Sequence, residues 1–524
     1  MMKYVSVAEM QAIEREANAS GLSYERMMEN AGRSLAEAVL EAYGYLSEGG
    51  ALGLVGSGNN GGDTLVALAY LAKEGWSASA AILRPRPEGD PLVRRLQEAG
   101  GRVIWLDAHF DEPALGLLLD THNLLLDGVL GTGARLPLKT EVAQALGFTR
   151  RKLEDMEDPP VVVAVDCPSG VDCDSGEAAP ECLPAEMTVT MAAVKHGLLK
   201  YPAYHLVGEL RVAGIGLAQD GQELQAWVNA RCILPDLEWV RTVLPKRPSD
   251  AHKGTFGTAL IAAGSASYTG AAWLAGQAAY RVGAGLVTLA VPRLLHAALA
   301  GQFPEATWVL LPHQDGFIAA QADAALRPYL GKATALLVGP GFGLEPTTGE
   351  FLSRLLGSSG EGLPPMVVDA DGLKLLRQIP DWAKRLPSPA VLTPHPGEMS
   401  VLTGLPKEQI QADRLGLAQR CSQEWGHVVV LKGAFTIIAA PDEIAAIIPV
   451  ATPALARAGT GDVLAGLIAG LRAQGVEAFE AAVAGAWIHA YAGLQAVEEV
   501  GNPASVLAGD VLRGAVSVIT DLLS

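Results

Sequence analysis

Two glycine-rich turns and a few carboxylates are where this 524-residue chain could do chemistry. The first turn is VGSGNNGGDT, residues 55–64, in which Gly56, Gly58 and Gly61 satisfy G-x-G-x-x-G between an apolar run (51–55) and an apolar helical pattern (65–72). Glycines there let a strand hand over to a helix through a tight turn, with main-chain N–H groups and the positive helix end facing an anion. The expected ligand therefore carries phosphate. The acid that would hold a ribose hydroxyl about twenty residues on is missing, because the second strand ends in Arg84-Pro85-Arg86; an ordinary Rossmann dehydrogenase is a strained reading. No G-x-x-x-x-G-K-[ST] occurs, which excludes a P-loop. Three more polar residues close predicted strands at the edge where open parallel sheets bind ligands. Asp127 begins DGVLGTGARLPL, Asp166 begins DCPSGVD, where Pro168 and Gly170 hold a turn that presents Ser169, and Lys195 lies in AAVKHG. Taken singly, each is as readily a helix cap or turn residue; with the Gly/Asn loop they point to a site.

The second turn is ARAGTGDVLAGLIAG, residues 456–470, polar at first and an apolar helix from Val463. Gly459, Thr460 and Gly461 can direct N–H groups at one oxygen anion, with Asp462 beside them in the first helical turn. A helix N-terminus keeps such an aspartate ionised and hence a feeble base, whereas arriving nucleotide phosphates compete for the same positive end and raise its proton affinity. That behaviour suits phosphoryl transfer. LTPHPGE (392–398), VLKGAFT (430–436), VGPGFG (338–343) and HKGTFGTALIAAGSASYTGAA (252–272) also fall at strand ends or glycine loops. His395 by itself reads more readily as a satisfied turn histidine than as a catalytic one.

The elements that must position these groups alternate. Apolar runs at 51–55, 78–84, 102–106, 123–127, 161–166 and 187–191 are separated by helical patterns, which predicts a parallel sheet covered on both faces. Ahead of them, residues 9–42 form two helical segments broken at Gly21. The alternation fades in the polar stretch 216–236, and a second series follows at 258–263, 286–291, 334–339, 366–370, 390–394 and 428–433, ending in helices rich in Ala and Leu. The halves share a style but no register, so they are not an internal repeat.

Length predicts two domains. The net charge of −18 is spread along the chain without a Lys/Arg block, so no nucleic acid partner is expected. Five widely spaced cysteines, with no C-x-x-C and no H-E-x-x-H, indicate reduced thiols rather than disulfides or a zinc site. No run of about eighteen uninterrupted apolar residues occurs, and the N-terminus carries early acids, so a cytoplasmic protein without membrane partners is expected.

GNNGGD (58–63), DGVLGTG (127–133), DCPSG (166–170) and MMENAG (27–32) together resemble the NAD(P)H-hydrate epimerase domain, a Rossmann-like fold, over about residues 1–218. The resemblance implies that Asn59, Asn60, Gly61, Gly62 and Asp63, with the loop Gly131, Thr132, Gly133, Ala134 and Arg135, hold the phosphates of a hydrated nicotinamide dinucleotide. It implies that Asp166 contacts the damaged ring and does acid/base work, and that K⁺ binds near Asn60, Asp127 and Ser169. Thr64 stands where the family usually has glycine, a poor choice if that position needs positive φ. The second half resembles the ADP- or ATP-dependent NAD(P)H-hydrate dehydratase, a ribokinase-like fold, over about residues 236–524, with 219–235 as linker. Here the resemblance implies that Lys432, Gly433, Ala434, Phe435 and Thr436, with Arg457, Ala458, Gly459, Thr460 and Gly461, hold the adenine nucleotide, whose oxygens Mg²⁺ would bridge. Gly341, Gly343, His395 and Asp462 contact the hydrated dinucleotide, with Asp462 as the base. Upstream of GTGD the family often has an asparagine-rich stretch, replaced here by Thr452 and Pro453.

The expected architecture is therefore α/β, a Rossmann-like three-layer parallel-sheet domain followed by a ribokinase-like one. The implied task is repair of hydrated NADH and NADPH, with ADP favoured over ATP and a homo-oligomer as the expected assembly. The alternative is a small-alcohol kinase joined to a nucleotide-binding scaffold.

Overall fold

Apolar runs with no polar face become strands buried on both sides, which only helices on either face can cover. In the computed structural model, which describes residues 2–106, 110–217 and 224–523, such strands build two units, Met2–Arg231 and Cys232–Ser524. The first unit holds a seven-stranded parallel sheet in the order Arg102–Trp105, Ala78–Ile82, Ala51–Val55, Leu124–Gly128, Val161–Val165, Met187–Met191, Glu209–Ala213. The inner strands are buried along their length, apart from the partly exposed Val161 that opens its strand; the edge strand Arg102–Trp105 is half-exposed. Winding reverses between Ala51–Val55 and Leu124–Gly128, which places the Gly58 turn and the loop after Asp127 side by side at the carboxyl edge. The two N-terminal helices appear as Val7–Ala19 and Tyr24–Tyr43, the second packing on the helix Asn59–Lys73 that leaves the glycine turn.

The second unit has a ten-stranded sheet in the order Thr307–Leu311, Leu286–Pro292, Thr258–Ala262, Ala335–Val338, Met366–Val368, Val391–Leu392, Val428–Leu431, Ile437–Ala439, Ala445–Ile447, Cys232–Leu234. It is parallel except where Ile437–Ala439 runs antiparallel to both neighbours. One face is covered by helices Thr269–Arg281, Thr460–Ala473, Ala478–Val500 and Ala508–Leu523, the Ala/Leu-rich elements seen in the sequence.

Residues 224–235, expected as part of a linker, carry the helix Gln225–Asn229 and the strand Cys232–Leu234. That helix is pinned because Gln225 and Ala226 donate their N–H groups to the Glu16 carboxylate at 2.8 and 2.7 Å. Residues 218–223 lie outside the described ones. All five cysteines are buried, and no helix among the described residues is long and apolar enough to cross a membrane.

Candidate active sites

At the carboxyl edge of the first sheet lies a cavity of about 790 Å³. It is lined by Asn59, Asn60, Asp63, Gly131, Thr132, Gly133, Ala134, Arg135 and Asp166, nearly the whole set expected to hold a dinucleotide. Gly61 and Gly62 lie behind them. A Cβ on Gly61 would sit 2.2 Å from the carbonyl of Gly56, and one on Gly56 2.0 Å from the carbonyl of Val129. Neither has positive φ, so close backbone packing rather than an unusual turn excludes side chains here. The turn is braced by Arg86, which pairs with Asp90 at 2.7 Å and donates to the carbonyl of Gly56 at 2.7 Å. The residues that replace the missing ribose acid are thus partly structural. Thr64 is helical, without positive φ. Its hydroxyl donates to the carbonyl of Asn60 at 2.8 Å, and it fills space left by Gly53 and Gly128, where added Cβ atoms would lie 2.7 and 1.8 Å from its side chain. The departure from the family pattern is absorbed by packing.

Asp166 sits at the end of strand Val161–Val165 with φ +66, the left-handed region. Its Oδ1 accepts from Lys195 Nζ at 2.5 Å, Met191 N at 3.0 Å and Thr190 Oγ1 at 3.2 Å. Lys195, 1% exposed, completes its donor set on Thr190 Oγ1 and the carbonyl of Met191. Two further acids share the cavity. Burial, followed by the charges of Asp166 and Glu14, pushes Asp63 well above the usual carboxylate range against the pull of Lys195. Burial also raises Glu14, with Lys195 opposing. Glu14 carried no sequence signal, being one acid among several on an amphipathic helix.

The residues expected to hold K⁺ converge on the loop at Leu130. Asn60 Nδ2 donates to the carbonyl of Leu130 at 2.9 Å, Leu130 N to Ser169 Oγ at 2.9 Å, and Ser169 N to Asp127 Oδ2 at 2.8 Å. Asn60 Oδ1 and Asp127 Oδ1 are buried without a hydrogen-bond partner. Burial raises Asp127, with the bonds from Ser169 opposing. Orphaned hard oxygens of this kind fit an alkali cation, which would supply the missing partner.

In the second unit Asp462 lies in the first turn of helix Thr460–Ala473, capped by Gly459 at φ +93. The helix end does not dominate its ionisation as the sequence suggested. Burial, then Asp369 and, beyond the opposing Lys432, Asp371 and Glu398, push it up to about 7. Desolvation outweighs a surface-type dipole effect of about 1 kcal/mol. Lys432 pairs with Asp369 at 2.6 Å and lies 3.8 Å from Glu398. A Cβ on Gly461 would approach its ammonium to 3.5 Å. Burial alone would push the Lys432 ammonium down, but Asp369 and Glu398 outweigh it and hold it above its ordinary value. Asp369 also accepts from Thr393 Oγ1 at 2.6 Å.

His395 is a helix cap: its Nδ1 accepts from Gly397 N at 2.9 Å and Glu398 N at 3.3 Å, leaving Nε2 3.3 Å from Glu398. Burial lowers its pKa, Glu398 opposing. Gly341 and Gly343 have φ +64 and +75, and Gly343 N donates to Asp371 at 3.0 Å, tying that loop to the acids around Asp462. The segment 432–436 forms the turn between antiparallel strands, its Ala434 carbonyl held by Arg414 at 2.5 Å. Phe435 takes φ +53, and Thr436 Oγ1 donates to the carbonyl of Gly433 at 3.0 Å. Arg457 and Ala458 precede the turn at Gly459; the Arg457 carbonyl accepts from Thr460 Oγ1 at 2.8 Å, while its guanidinium engages the carbonyl of Ala504. Sequence reasoning gave Asp369 no role, although it closes strand Met366–Val368 just as Asp127 and Asp166 close theirs. His489, buried in mid-helix and lowered by that burial to about 4, had no signal at all.

Comparison with known proteins gives matches in both halves. Residues 259–516 match the family described as NAD(P)H-hydrate dehydratase, and residues 24–197 the family described as YjeF-related protein N-terminus. A bifunctional NAD(P)H-hydrate repair enzyme of Moorella thermoacetica is 37% identical over 98% of this chain and 95% of its own length. Its namesake in Salinibacter ruber is 35% identical over 94% and 91%, and that of Escherichia coli 33% over 91% and 86%. Among solved structures, the ADP/ATP-dependent NAD(P)H-hydrate dehydratase of Bacillus subtilis, co-crystallised with ATP and Mg²⁺, is 30% identical and covers 55% of this chain and 98% of that one, with a TM-score of 0.46.

Proposed function

The chain belongs to the family of bifunctional NAD(P)H-hydrate repair enzymes, and we propose that its two units divide the work at the boundary near residue 231. The protein is an enzyme with epimerase and dehydratase activities. The alternative of a small-alcohol kinase on a scaffold gives way to full-length relatives that carry both halves.

In the first unit, the free N–H groups at the start of helix Asn59–Lys73 and the loop 131–135 take the phosphates. Asp166, oriented by Lys195, works on the hydrated ring. K⁺, when bound at Asn60, Asp127 and Ser169, would neutralise the buried Asp127 and stiffen the loop that carries Gly131. The two orphaned oxygens support this.

The second unit restores the ring. Water added across a reduced nicotinamide leaves a hydroxyl that departs poorly; phosphorylating it creates a leaving group, and elimination follows. Asp462 accepts the hydroxyl proton. A pKa of about 7 in a buried carboxyl at a helix N-terminus, beside the Lys432 ammonium, is the observation that carries this assignment. The amides at 459–461 stabilise charge on the transferring group, and Lys432 balances the acids. Asp369 and Glu398 are engaged by Lys432, Thr393 and His395, so Mg²⁺ would be carried chiefly by nucleotide oxygens, where it supplies charge neutralisation. Only one epimer presents its hydroxyl correctly to such a site, which gives the epimerase its purpose. ADP is the proposed nucleotide, and a cytoplasmic homo-oligomer the proposed setting.

The test starts from a mixture of both hydrate epimers, with ADP and ATP supplied separately. Complete conversion to NADH, with release of inorganic phosphate, supports two coupled activities. A stable phosphorylated product would sink the dehydratase assignment, and half-conversion would sink the epimerase.

A further inference from the structure

The carboxyl of Asp63 has no obvious place in phosphate binding. It lies one turn inside helix Asn59–Lys73, so its N–H belongs to the helical ladder rather than to the free first amides, and only its side chain reaches the cavity. A carboxylate aimed among phosphates would repel them. What it does share is the cavity wall with Asp166, whose charge acts on it. Every other charged group that acts on it is known: Glu14 from helix Val7–Ala19, Asp166 and Lys195 from the strand ends. Arg84, Arg135 and Lys139 line the same cavity.

We propose that Asp63 is the general acid of the epimerase, acting on the ring hydroxyl while Asp166 serves as the base on the other side of the reacting carbon. The inference rests on the epimerase reading of this unit. Three acids, Glu14, Asp63 and Asp166, line one cavity, and the one buried ammonium whose charge reaches all three, Lys195, is paired with Asp166 at 2.5 Å. Asp63 is only 8% exposed and lies too far into the helix for its positive end to compensate. Like charges around a dry carboxyl keep its proton on, as the raised proton affinity of Asp63 also indicates. Glu14 is more exposed and has less need to stay neutral. The cavity therefore offers an acid and a salt-bridged base, the pairing that acid/base chemistry on one carbon requires.

The chemistry balances without any co-reactant but water. Water added to an electron-rich ring double bond places its hydroxyl on the carbon next to the ring nitrogen. The Asp63 proton passes to that hydroxyl, and the C–O bond breaks with its electron pair departing on water. The nitrogen lone pair forms the C=N bond of an iminium. Water adding to the opposite face of that carbon loses a proton to Asp166, and the proton returns to Asp63 through cavity water before the next turnover. One water leaves, one adds, and nothing is oxidised or reduced.

The experiment follows interconversion of a single purified hydrate epimer by the full-length protein without nucleotide, subtracting the spontaneous rate, in wild type, D63N, D63E and D166N. The expected result for D63N is a fall of about 100-fold or more in kcat, with KM changed less than about threefold. The wild-type kcat should decline as rising pH strips the proton from Asp63, and that decline should vanish in D63N and return in D63E. Far-ultraviolet circular dichroism and a first-unit melting transition unchanged from wild type report that the D63N chains are folded. If D63N keeps kcat within threefold, or loses only KM, the acid assignment is overturned and Asp63 is a binding residue. If D166N also keeps its epimerase rate, the failure lies with the epimerase reading itself.

Discussion

The two units place an aspartate in opposite electrostatic settings. Asp166 has a buried ammonium at 2.5 Å and two further donors on one oxygen. Asp462 forms no salt bridge among the described residues and is surrounded by Asp369, Asp371 and Glu398, whose own partners are Lys432, Lys374 and His395. One carboxylate is satisfied by pairing; the other is left poised near neutrality by burial. The same local pattern, a glycine turn with an acid at a strand or helix end, thus yields different chemistry because the neighbours delivered by the rest of the sheet differ.

Removing either carboxylate is the strongest way to break this comparison. D462N should cost nucleotide-driven dehydration about 10²–10⁴-fold and spare epimerisation, and D166N should do the reverse; rates of both reactions on both variants decide it, and equal loss in either would contradict the division of labour. Next in size is K195M. It strands Asp166 beside Asp63 and Glu14 without its paired ammonium, and breaking a buried pair of this kind costs about 3–5 kcal/mol. Thermal unfolding should show the first unit melting earlier while dehydration persists; unchanged melting would mean the pair is not structurally strained by its removal.

A subtler contrast lies in pH. As a base titrating near 7, Asp462 should give a dehydration kcat that climbs as pH rises through about 7. D369N, which deletes the largest neighbouring charge and releases Lys432, should move that midpoint to lower pH. The stability sign runs the other way. A carboxyl whose folded pKa exceeds its unfolded value of 3.8 contributes most below about pH 4, and that contribution is lost as pH rises through 7. The melting advantage of D462N over wild type should therefore widen between pH 6 and pH 8, and a constant gap would argue against the raised proton affinity. The smallest effect expected is T64G, which empties the space between Gly53 and Gly128 and weakens a helix by about 1 kcal/mol, with epimerisation nearly unaffected. A large loss of rate would mean Thr64 shapes the phosphate loop directly.

Much of the scaffold was legible in the chain because it is local. Alternating apolar runs announce strands buried on both faces, and residues 187–191 or 51–55 needed no tertiary information to be placed. Asp127, Asp166 and the GTGD turn could be singled out because strand ends and helix starts are where parallel sheets collect ligands. Thr64 could be flagged but not understood, since its room is made by Gly53 and Gly128, residues on two neighbouring strands. The segment before Cys232 looked like a linker because its helix is held by Glu16, more than two hundred residues away.

The amino-acid order by itself determined the two α/β series, the two phosphate-seeking turns and the presence of an acid at each, all properties of short stretches with their own hydrogen-bonding and steric logic. Tertiary structure alone decided what those acids are. Lys195 reaches Asp166 because strands Val161–Val165 and Met187–Met191 are neighbours, and Lys432 meets Asp369 across sixty-three residues. Proton affinity depends on burial and on charges brought from elsewhere, and neither is written in the residues beside the one that titrates.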